Sequence, residues 1–190
     1  MITIIGVGAL GSHVALALRN LKQGLRVIDF DNVEQKNVLA QFHTKMSLRR
    51  NKAHALSQTF QGLFGVKVDV VPHKLTNDNK NEVLKGSELL IDCTDNITAR
   101  EIIKCWAKDN QIPCLHGALS ADGTFARIIW DEVFVADAEG NEGEATCIDG
   151  EHLPFFMLAA STMAIEAERF LKSGKKHSIQ LTPSGTIRLI

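Results

Sequence analysis

The sequence lacks a strong charge of either sign. Its 190 residues contain 21 Lys and Arg against 22 Asp and Glu, which gives a formal net charge of −1 and a pI of about 6.6. Proteins that bind nucleic acid or an anionic membrane surface through electrostatics carry a basic excess. The composition therefore predicts no nucleic-acid partner and no membrane partner.

Long apolar runs and paired cysteines are also missing. No stretch reaches the roughly 18–20 apolar residues of a spanning helix, and the apolar start carries no basic leader. The four cysteines, Cys93, Cys105, Cys114 and Cys147, form no C-x-x-C pair, so they predict neither a zinc site nor a disulfide framework. We expect a cytoplasmic location, with the first three cysteines in the core.

The opening residues carry the most informative motif. An apolar run, Ile2–Ile5, leads into G-x-G-x-x-G, formed by Gly6, Gly8 and Gly11. In a strand–turn–helix unit the first glycine permits the tight turn, the second lets phosphate approach the backbone, and the third allows close packing of the helix. The helix N-terminus adds about half a positive charge. The motif predicts a phosphate site at this turn.

Two acidic residues follow the next apolar run, Leu25–Ile28. Asp29 and Asp31 lie 18 and 20 residues after Gly11, and an acid about 20 residues after the glycines commonly binds ribose hydroxyls. The glycine pattern alone also occurs in chance turns. With strand, helix and acids in register, nucleotide binding is favoured.

Strand-like and helical segments alternate through the first part of the chain, which predicts a parallel sheet with right-handed crossovers. Beyond residue 117, strand-like segments follow one another with a long apolar helix between them, Leu153–Leu171, and the sheet is expected to end antiparallel. Residues 137–150 are rich in Gly, Glu and Asp and predict a mobile loop. We therefore expect a single α/β domain over residues 1–190, with a Rossmann-like doubly wound sheet. The strand-like segments are Ile2–Ile5, Leu25–Ile28, Lys67–Val71, Glu88–Cys93, Ile112–His116, Phe125–Phe134, Ser178–Leu181 and Thr186–Ile190.

Further polar residues follow these strands. Residues 29–41 read D-x-D-x-V-E-x-x-N-x-x-x-Q, Lys52 begins a helical segment, and residues 92–96 read D-C-T-D-N. This combination resembles the ThiF/MoeB/HesA family, the ubiquitin-activating-type adenylyltransferases, from Ile2 to about Leu171. The resemblance implies that ATP and Mg²⁺ are used to adenylate the C-terminal glycine of a small ubiquitin-like or sulfur-carrier protein. It also implies a homodimer.

The resemblance assigns Gly8 to the phosphates, Asp29 to the ribose, Lys52 to a phosphate contact and Asp95 to magnesium. From the residues alone, two of these assignments have alternatives. A lysine on a helix is usually solvated, and Asp95 with Asn96 could cap a helix that begins near Thr98. The residues that it places at the nucleotide are Gly6, Gly8, Gly11, Asp29, Asp31, Asn37, Gln41, Lys52, Asp95 and Asn96.

Cys147 lies in the polar segment 144–150. In family members a cysteine at this place can receive the activated acyl group, and a loop position would let a nucleophile move between solvent and the adenylate. The neighbouring acids Glu144, Asp149 and Glu151 would raise its pKa, which disfavours a resting thiolate. An inert loop cysteine stays open beside the catalytic role.

Ala40 departs from the family pattern, which has N-x-x-R-Q where this chain has N-V-L-A-Q. The missing guanidinium would contribute about 1.5–3 kcal/mol to triphosphate binding. Arg49 or Arg50 is expected to supply that charge: Arg49 if the helix has begun and it shares a face with Lys52, Arg50 if the helix begins later.

Three functions stay in competition. The first is the adenylating enzyme. The second is a degenerate nucleotide-binding partner subunit, favoured by Ala40 and by the lack of the helical segment that precedes the first strand in family relatives. The third, a nicotinamide-dependent oxidoreductase, explains Asp29 with Asp31 and D-C-T-D-N poorly.

Overall fold

The computed structural model describes residues 1–120, 122–134 and 150–189. Within these residues eight strands form one sheet in the order β3-β2-β1-β4-β5-β6-β7-β8. The strands are β1 (Ile2–Ile5), β2 (Leu25–Ile28), β3 (Asp69–Val71), β4 (Leu89–Asp92), β5 (Cys114–Leu119), β6 (Ala126–Trp130), β7 (Ser178–Thr182) and β8 (Gly185–Leu189). The helices are α1 (Ala9–Leu18), α2 (Lys52–Phe64), α3 (Lys80–Val83), α4 (Ile97–Asn110) and α5 (Leu153–Ser173).

The predicted change of strand direction is confirmed. Strands β3, β2, β1, β4 and β5 are parallel, whereas β6, β7 and β8 are antiparallel to their neighbours. Strand β1 lies between β2 and β4, and the chain runs outward from it in both directions. In open α/β sheets, ligands bind at the carboxyl ends of the strands at such a reversal.

The central strands β1 and β4 are buried on both faces, and their residues alternate between two hydrophobic clusters. Ile4 of β1 belongs to the larger cluster, which includes residues of α1 and α5, whereas Ile5 belongs to the smaller cluster, which includes residues of α4. Helix α1 packs against α5. The two layers of helices fix the strands, so the loops at their carboxyl ends have defined positions.

The Asn96 cap expected as an alternative is confirmed, one local prediction needs correction, and one lies outside the described residues. Helix α4 begins at Ile97 with Asn96 as its N-cap, because the Asn96 side chain accepts a hydrogen bond from Ala99 N. Cys105 is exposed on α4 rather than in the core. Most of the predicted loop at 137–150 lies outside the described residues.

No helix in the described ranges is long and apolar enough to cross a membrane.

Candidate functional site

The glycine turn connects β1 to α1. Gly6 has a φ of +84°, which favours glycine, and a Cβ on Gly11 would lie 1.9 Å from Gly6 O. Both positions therefore require glycine. Gly8 differs, because a Cβ there would meet only Gln41 Nε2, at 3.8 Å. Gly8 is the N-cap of α1 and offers no side-chain cap, so space and backbone N–H groups are available at the helix N-terminus.

Asp29 closes the turn from β2. One carboxylate oxygen accepts a hydrogen bond from Val7 N at 2.8 Å, and the other accepts from Asp31 N at 2.9 Å. Burial raises the pKa of Asp29, while the Lys52 ammonium and the two backbone N–H groups oppose that rise. Asp29 thus fixes the turn and places a carboxylate beside it.

Lys52 is the first residue of α2 and is only 8% exposed. Its Nζ lies 3.1 Å from Oδ2 of Asp31, and the Asp31 side chain is half exposed. Asn51 aligns this helix start, because its Nδ2 donates to Asp29 O at 2.8 Å and its Oδ1 caps His54 N. The solvated interpretation of Lys52 is therefore wrong: its ammonium lies at the carboxyl end of β2.

Asn37 and Gln41 belong to the segment that follows Asp31. The buried Asn37 side chain accepts from Glu34 N at 2.8 Å and completes the capping box of a short 3-10 helix, Gln35–Leu39. Gln41 reaches the glycine turn with Nε2 near Gly8, and its buried Oε1 has no hydrogen-bond partner in the described residues. Asn37 therefore shapes the segment, and Gln41 places its amide group beside Gly8.

Two histidines pack against the same turn. His43 Nε2 lies 3.0 Å from Val7 O, and His13 Nε2 lies 3.2 Å from Ala40 O. In both residues Nδ1 is buried and has no partner in the part of the chain that the structure describes. Burial lowers the pKa of both, that of His43 to about 4. Together with Gln41 Oε1, three polar atoms around the turn have unused hydrogen-bonding capacity.

Asp95 and Asn96 follow β4. Asp95 is exposed, and its carboxylate has no hydrogen-bond partner in the described part of the chain. Asn96 caps α4, as the alternative interpretation from sequence stated. Residues 93–96, called the β4 loop, lie against the glycine turn. A Cβ on Gly6 would be only 2.9 Å from Cys93 O. Asp95 is therefore carried by a loop that touches the turn.

Arg49 and Arg50 lie outside α2, and the expectation that Arg49 shares a helix face with Lys52 is wrong. Asn51 caps the helix after them, and Arg49 has a φ of +67°. Both arginines are exposed, and Arg50 Nη1 donates to Gln58 Oε1 at 2.7 Å. At the position of the family arginine, Ala40 is 1% exposed.

Cys147, the predicted acyl acceptor, lies outside the described residues. Of the other cysteines, Cys114 is buried and Cys93 is partly buried. Burial raises the pKa of both thiols well above the usual value, and the nearby acids Asp92 and Asp131 add to the rise. Neither thiol is activated as a nucleophile.

A second polar cluster, called the β5 cluster, is formed by Asp92 of β4, Cys114 and His116 in the first half of β5, and Asp131 directly after β6. His116 Nδ1 lies 2.8 Å from Asp92 Oδ2, and His116 Nε2 lies 2.9 Å from Asp131 Oδ1. Ionised carboxylates only accept hydrogen bonds, so a protonated imidazole donates to both. Burial alone would lower the pKa of His116, but its hydrogen bonds to Asp131 and Asp92 and their charges raise it overall.

This second cluster is also the one place in the described residues where three potential metal ligands converge. Side-chain atoms of Cys114, His116 and Asp131 lie within 4.8 Å of one another. Both histidine nitrogens already have carboxylate partners, and Asp131 Oδ2 accepts from Cys114 N at 2.7 Å. The cluster therefore satisfies its own hydrogen bonds and offers no open ligand set.

Sequence reasoning missed His13, His43, Asn51 and His116. Asn51 had a usable signal, because Asn immediately before a helical segment is a standard N-cap. The histidines had none, since a single histidine in an apolar segment has no spacing that distinguishes it. Their roles depend on contacts between residues 15 to 36 positions apart.

The fold matches that of solved proteins. A crystal structure of E. coli MccB with AMPCPP and selenomethionine MccA superposes with a TM-score of 0.78 at 15% identity, covering 99% of this chain and 62% of that chain. At this identity the similarity concerns the fold alone.

Two curated relatives are similar in sequence. The SAMP-activating enzyme E1 of Haloferax volcanii is 30% identical over 121 residues, covering 62% of this chain and 45% of that protein. The molybdopterin-synthase adenylyltransferase of Salmonella typhimurium is 23% identical over 179 residues, covering 90% of this chain and 72% of that protein. The chain spans less than half the length of several curated relatives.

The ThiF family model matches residues 1–184, which is nearly the whole chain and includes both the glycine turn and the β4 loop. By this match, the chain belongs to the ThiF family.

Proposed function

We propose that the chain binds ATP with Mg²⁺ over the glycine turn and adenylates the C-terminal carboxylate of a small ubiquitin-like or sulfur-carrier protein. The reaction forms a bond between a carboxylate oxygen and the α-phosphorus and breaks the bond to pyrophosphate. Names of relatives support the reaction class, since they include adenylyltransferases and a SAMP-activating enzyme. We assign the adenylating site to the glycine turn and to the described residues around it.

One observation carries this proposal: the buried Lys52 ammonium lies beside Asp29 and Asp31 at the end of β2. A cation next to a glycine turn at the sheet's reversal point suits a polyphosphate that must accept attack by another anion. Among the described residues, Gln41 Oε1, His13 Nδ1 and His43 Nδ1 are buried around the turn without partners, so polar atoms there are left to be satisfied. The site fits ATP on these grounds.

Different residues would contact the ribose, the phosphates and the magnesium ion, so that the carboxylate can approach the α-phosphate. Asp29 is placed for the ribose, Gly8 leaves space for phosphate, and Lys52 offsets phosphate charge as a point charge. Asp95 is the residue that would hold magnesium, which when bound neutralises phosphate charge. The exposed Asp95 carboxylate and the buried Lys52 ammonium thus divide the electrostatic work.

Transfer of the acyl group from the adenylate to Cys147 is the second part of the proposal. The thiolate sulfur would attack the acyl carbon and release AMP, forming a thioester. Support for this step is limited to the position of Cys147 in the sequence. Intact-mass detection of a hydroxylamine-sensitive adduct, absent in Cys147→Ser, tests it separately from adenylation.

Pyrophosphate–ATP exchange tests the adenylation. The assay uses Mg-ATP and a panel of small carrier proteins that end in Gly-Gly, with Lys52→Met as the site variant and Lys67→Met, an exposed lysine, as the control. We expect carrier-dependent exchange in the wild type and in Lys67→Met, and its loss in Lys52→Met. Calorimetry that shows tighter binding of NAD than of Mg-ATP would refute the proposal.

A degenerate partner subunit is the alternative, and Ala40 favours it. The structure sharpens this alternative, because neither Arg49 nor Arg50 lies on the helix face of Lys52. Binding of Mg-ATP without exchange on any carrier would favour the partner subunit over the enzyme.

We also propose a homodimer through the outer face of α5. Met157, Leu158 and Ile165 share that face and are 46%, 45% and 55% exposed. Ile165→Glu should shift the sedimentation of the protein to the monomer, whereas Ile187→Glu, at an equally exposed position on β8, should not. A wild-type monomer at tens of micromolar concentration would contradict the proposal.

A further inference from the structure

An unbroken chain of hydrogen bonds connects the β4 loop to the end of β6. Thr94 N and Oγ1 donate to Asp92 Oδ1 at 2.9 and 2.7 Å, Asp92 Oδ2 accepts from His116, and His116 donates to Asp131. We propose that His116 and Asp131 are positioning residues for Asp95, acting through Asp92 and Thr94. This inference rests on the proposed function, because Asp95 is the candidate magnesium ligand.

The far end of the chain is anchored. Asp131 Oδ2 accepts from Cys114 N at 2.7 Å, and the His116 ring stacks on Phe134 with centroids 3.8 Å apart and planes 6° from parallel. Asp92 is fully buried and His116 is 2% exposed. The imidazole therefore cannot turn without losing a hydrogen bond to a buried carboxylate, which is costly.

The near end is held from two sides. Asp92 binds the amide and the hydroxyl of Thr94, while Arg100 donates to Thr94 O and, at 2.9 Å, to Gly117 O. Asp95 follows Thr94 directly and has no partner of its own in the described residues. The direction of the Asp95 carboxylate therefore depends on the Thr94 peptide, and through it on His116.

Substitutions at His116 and Asp131 test this dependence. His116→Gln keeps a polar side chain but cannot bridge two carboxylates, and Asp131→Asn keeps the shape while removing one charge. Because a displaced Asp95 affects the reacting geometry, we expect kcat for pyrophosphate exchange to fall at least tenfold in His116→Gln. The KM for ATP should change less than threefold, since Asp95 acts mainly on the transition state.

Ser87→Ala is the matched control for loss of a buried hydrogen bond. Ser87 Oγ lies 2.6 Å from Thr3 Oγ1, and both side chains are buried at the amino end of the sheet, away from the site. The control should lower the melting temperature and leave kcat unchanged. If His116→Gln behaves in the same way, the cluster is only structural and the proposal fails.

A double-mutant cycle tests the path. His116 and Thr94 communicate through Asp92, so independent roles would make the kcat losses of His116→Gln and Thr94→Val multiply. A shared chain predicts that the double variant is little worse than the worse single variant. Multiplying losses would overturn the proposed path.

Amide NMR separates this inference from the proposed function. In Asp131→Asn, the amide resonances of Thr94 and Asp95 should shift, although Asp131 contacts neither residue, and in Ser87→Ala they should stay in place. This measurement needs neither nucleotide nor carrier. An inactive wild type would refute the proposed function alone, whereas unmoved Thr94 and Asp95 resonances in Asp131→Asn would refute the positioning chain alone.

Discussion

The glycine turn and the β5 cluster are two polar regions of the same sheet, and they differ in what they leave unsatisfied. Within the described residues, Gln41, His13 and His43 around the turn each keep a buried polar atom without a partner, and the exposed Asp95 carboxylate has no hydrogen bond. In the β5 cluster, both nitrogens of His116 and both oxygens of Asp92 are bonded. Unused hydrogen-bonding capacity indicates a binding site, whereas a saturated cluster indicates a support.

Charge follows the same division. At the turn, the buried Lys52 ammonium donates to the half-exposed Asp31 and to no other side chain in the described residues, so N–H donors of the cation remain for another anion. In the cluster, the charge of His116 is shared between two carboxylates. The first arrangement suits an anionic ligand, and the second holds a loop in place.

Asp95→Ala should have the largest effect on activity. Removing the carboxylate proposed to hold magnesium should reduce adenylate formation on the order of a hundredfold to a thousandfold. The fold should stay intact, because Asp95 is exposed and has no partner among the described residues. Adenylate formation and melting temperature are measured together, with Asn96→Ala, which removes the helix cap, as the comparison. Retained activity with a large drop in melting temperature would contradict the magnesium role.

Much of this site could be predicted from sequence, because it is built from strand ends. Gly6–Gly11 and Asp29 follow an apolar run directly, Asp95 lies three residues beyond β4, and parallel strands bring such ends to one edge. Lys52 at a helix start was also predicted. The order of residues along the sequence was sufficient to predict all of these positions.

The β5 cluster could not be predicted, because it depends on the register in which the strands pair. Asp92 meets His116 only since β4 and β5 pair as Asp92↔His116, and Asp131 approaches Cys114 only because β6 runs antiparallel. The sequence carries no mark of that register. Of the two alternatives for the replacement arginine, the one that depended on an early helix start does not hold, since the cap at Asn51 places the start of α2 after Arg49 and Arg50.

Substitutions at Gly11 and Gly8 should have different effects, the first on the stability of the fold and the second on the binding of Mg-ATP. Gly11→Ala places a methyl carbon 1.9 Å from Gly6 O, so backbone must move, and we expect a loss of about 3 kcal/mol or more in the free energy of unfolding. Gly8→Ala meets only Gln41 Nε2 at 3.8 Å and should cost much less stability. It should still weaken Mg-ATP binding about tenfold or more, because the methyl group occupies the proposed phosphate approach.

Denaturant unfolding and calorimetry on the two glycine variants measure these effects. Equal stability losses in Gly8→Ala and Gly11→Ala would show that the space beside Gly8 is not open. Undiminished ATP affinity in a folded Gly8→Ala would place the phosphates elsewhere.

His43 at the turn and His116 in the β5 cluster should respond to pH in opposite directions. Burial lowers the pKa of His43 to about 4, so the unfolded chain binds more protons and stability is lost as the pH falls from 6.5 toward 4. At about 1.4 kcal/mol per pKa unit, this loss reaches about 3 kcal/mol. The pKa of His116 is raised, so its contribution is fully present below pH 6.5 and is lost as the pH rises through the folded value.

Unfolding free energies across pH 4–9 check this contrast. His43→Leu should flatten the acid side of the profile, and His116→Gln the alkaline side, while His54→Gln, an exposed histidine, should change neither. A profile of His43→Leu that parallels the wild type below pH 6.5 would contradict the burial of a neutral imidazole at this position.

Replacement of the two arginines should have the smallest effect. Arg50 is bonded to Gln58 on the exposed side of α2, and Arg49 precedes the helix, so neither is poised to replace the family arginine at Ala40. We expect Arg49→Ala and Arg50→Ala each to change the KM for ATP less than threefold, with the double variant no worse than about tenfold. A clear rise at one position only would show that the guanidinium leaves its present contacts and reaches the triphosphate, which restores the missing charge. Unchanged ATP kinetics in both variants and in the double variant would leave Lys52 as the cation that the chain supplies in this region. If the chain then binds ATP but exchanges no pyrophosphate, the partner-subunit function is favoured.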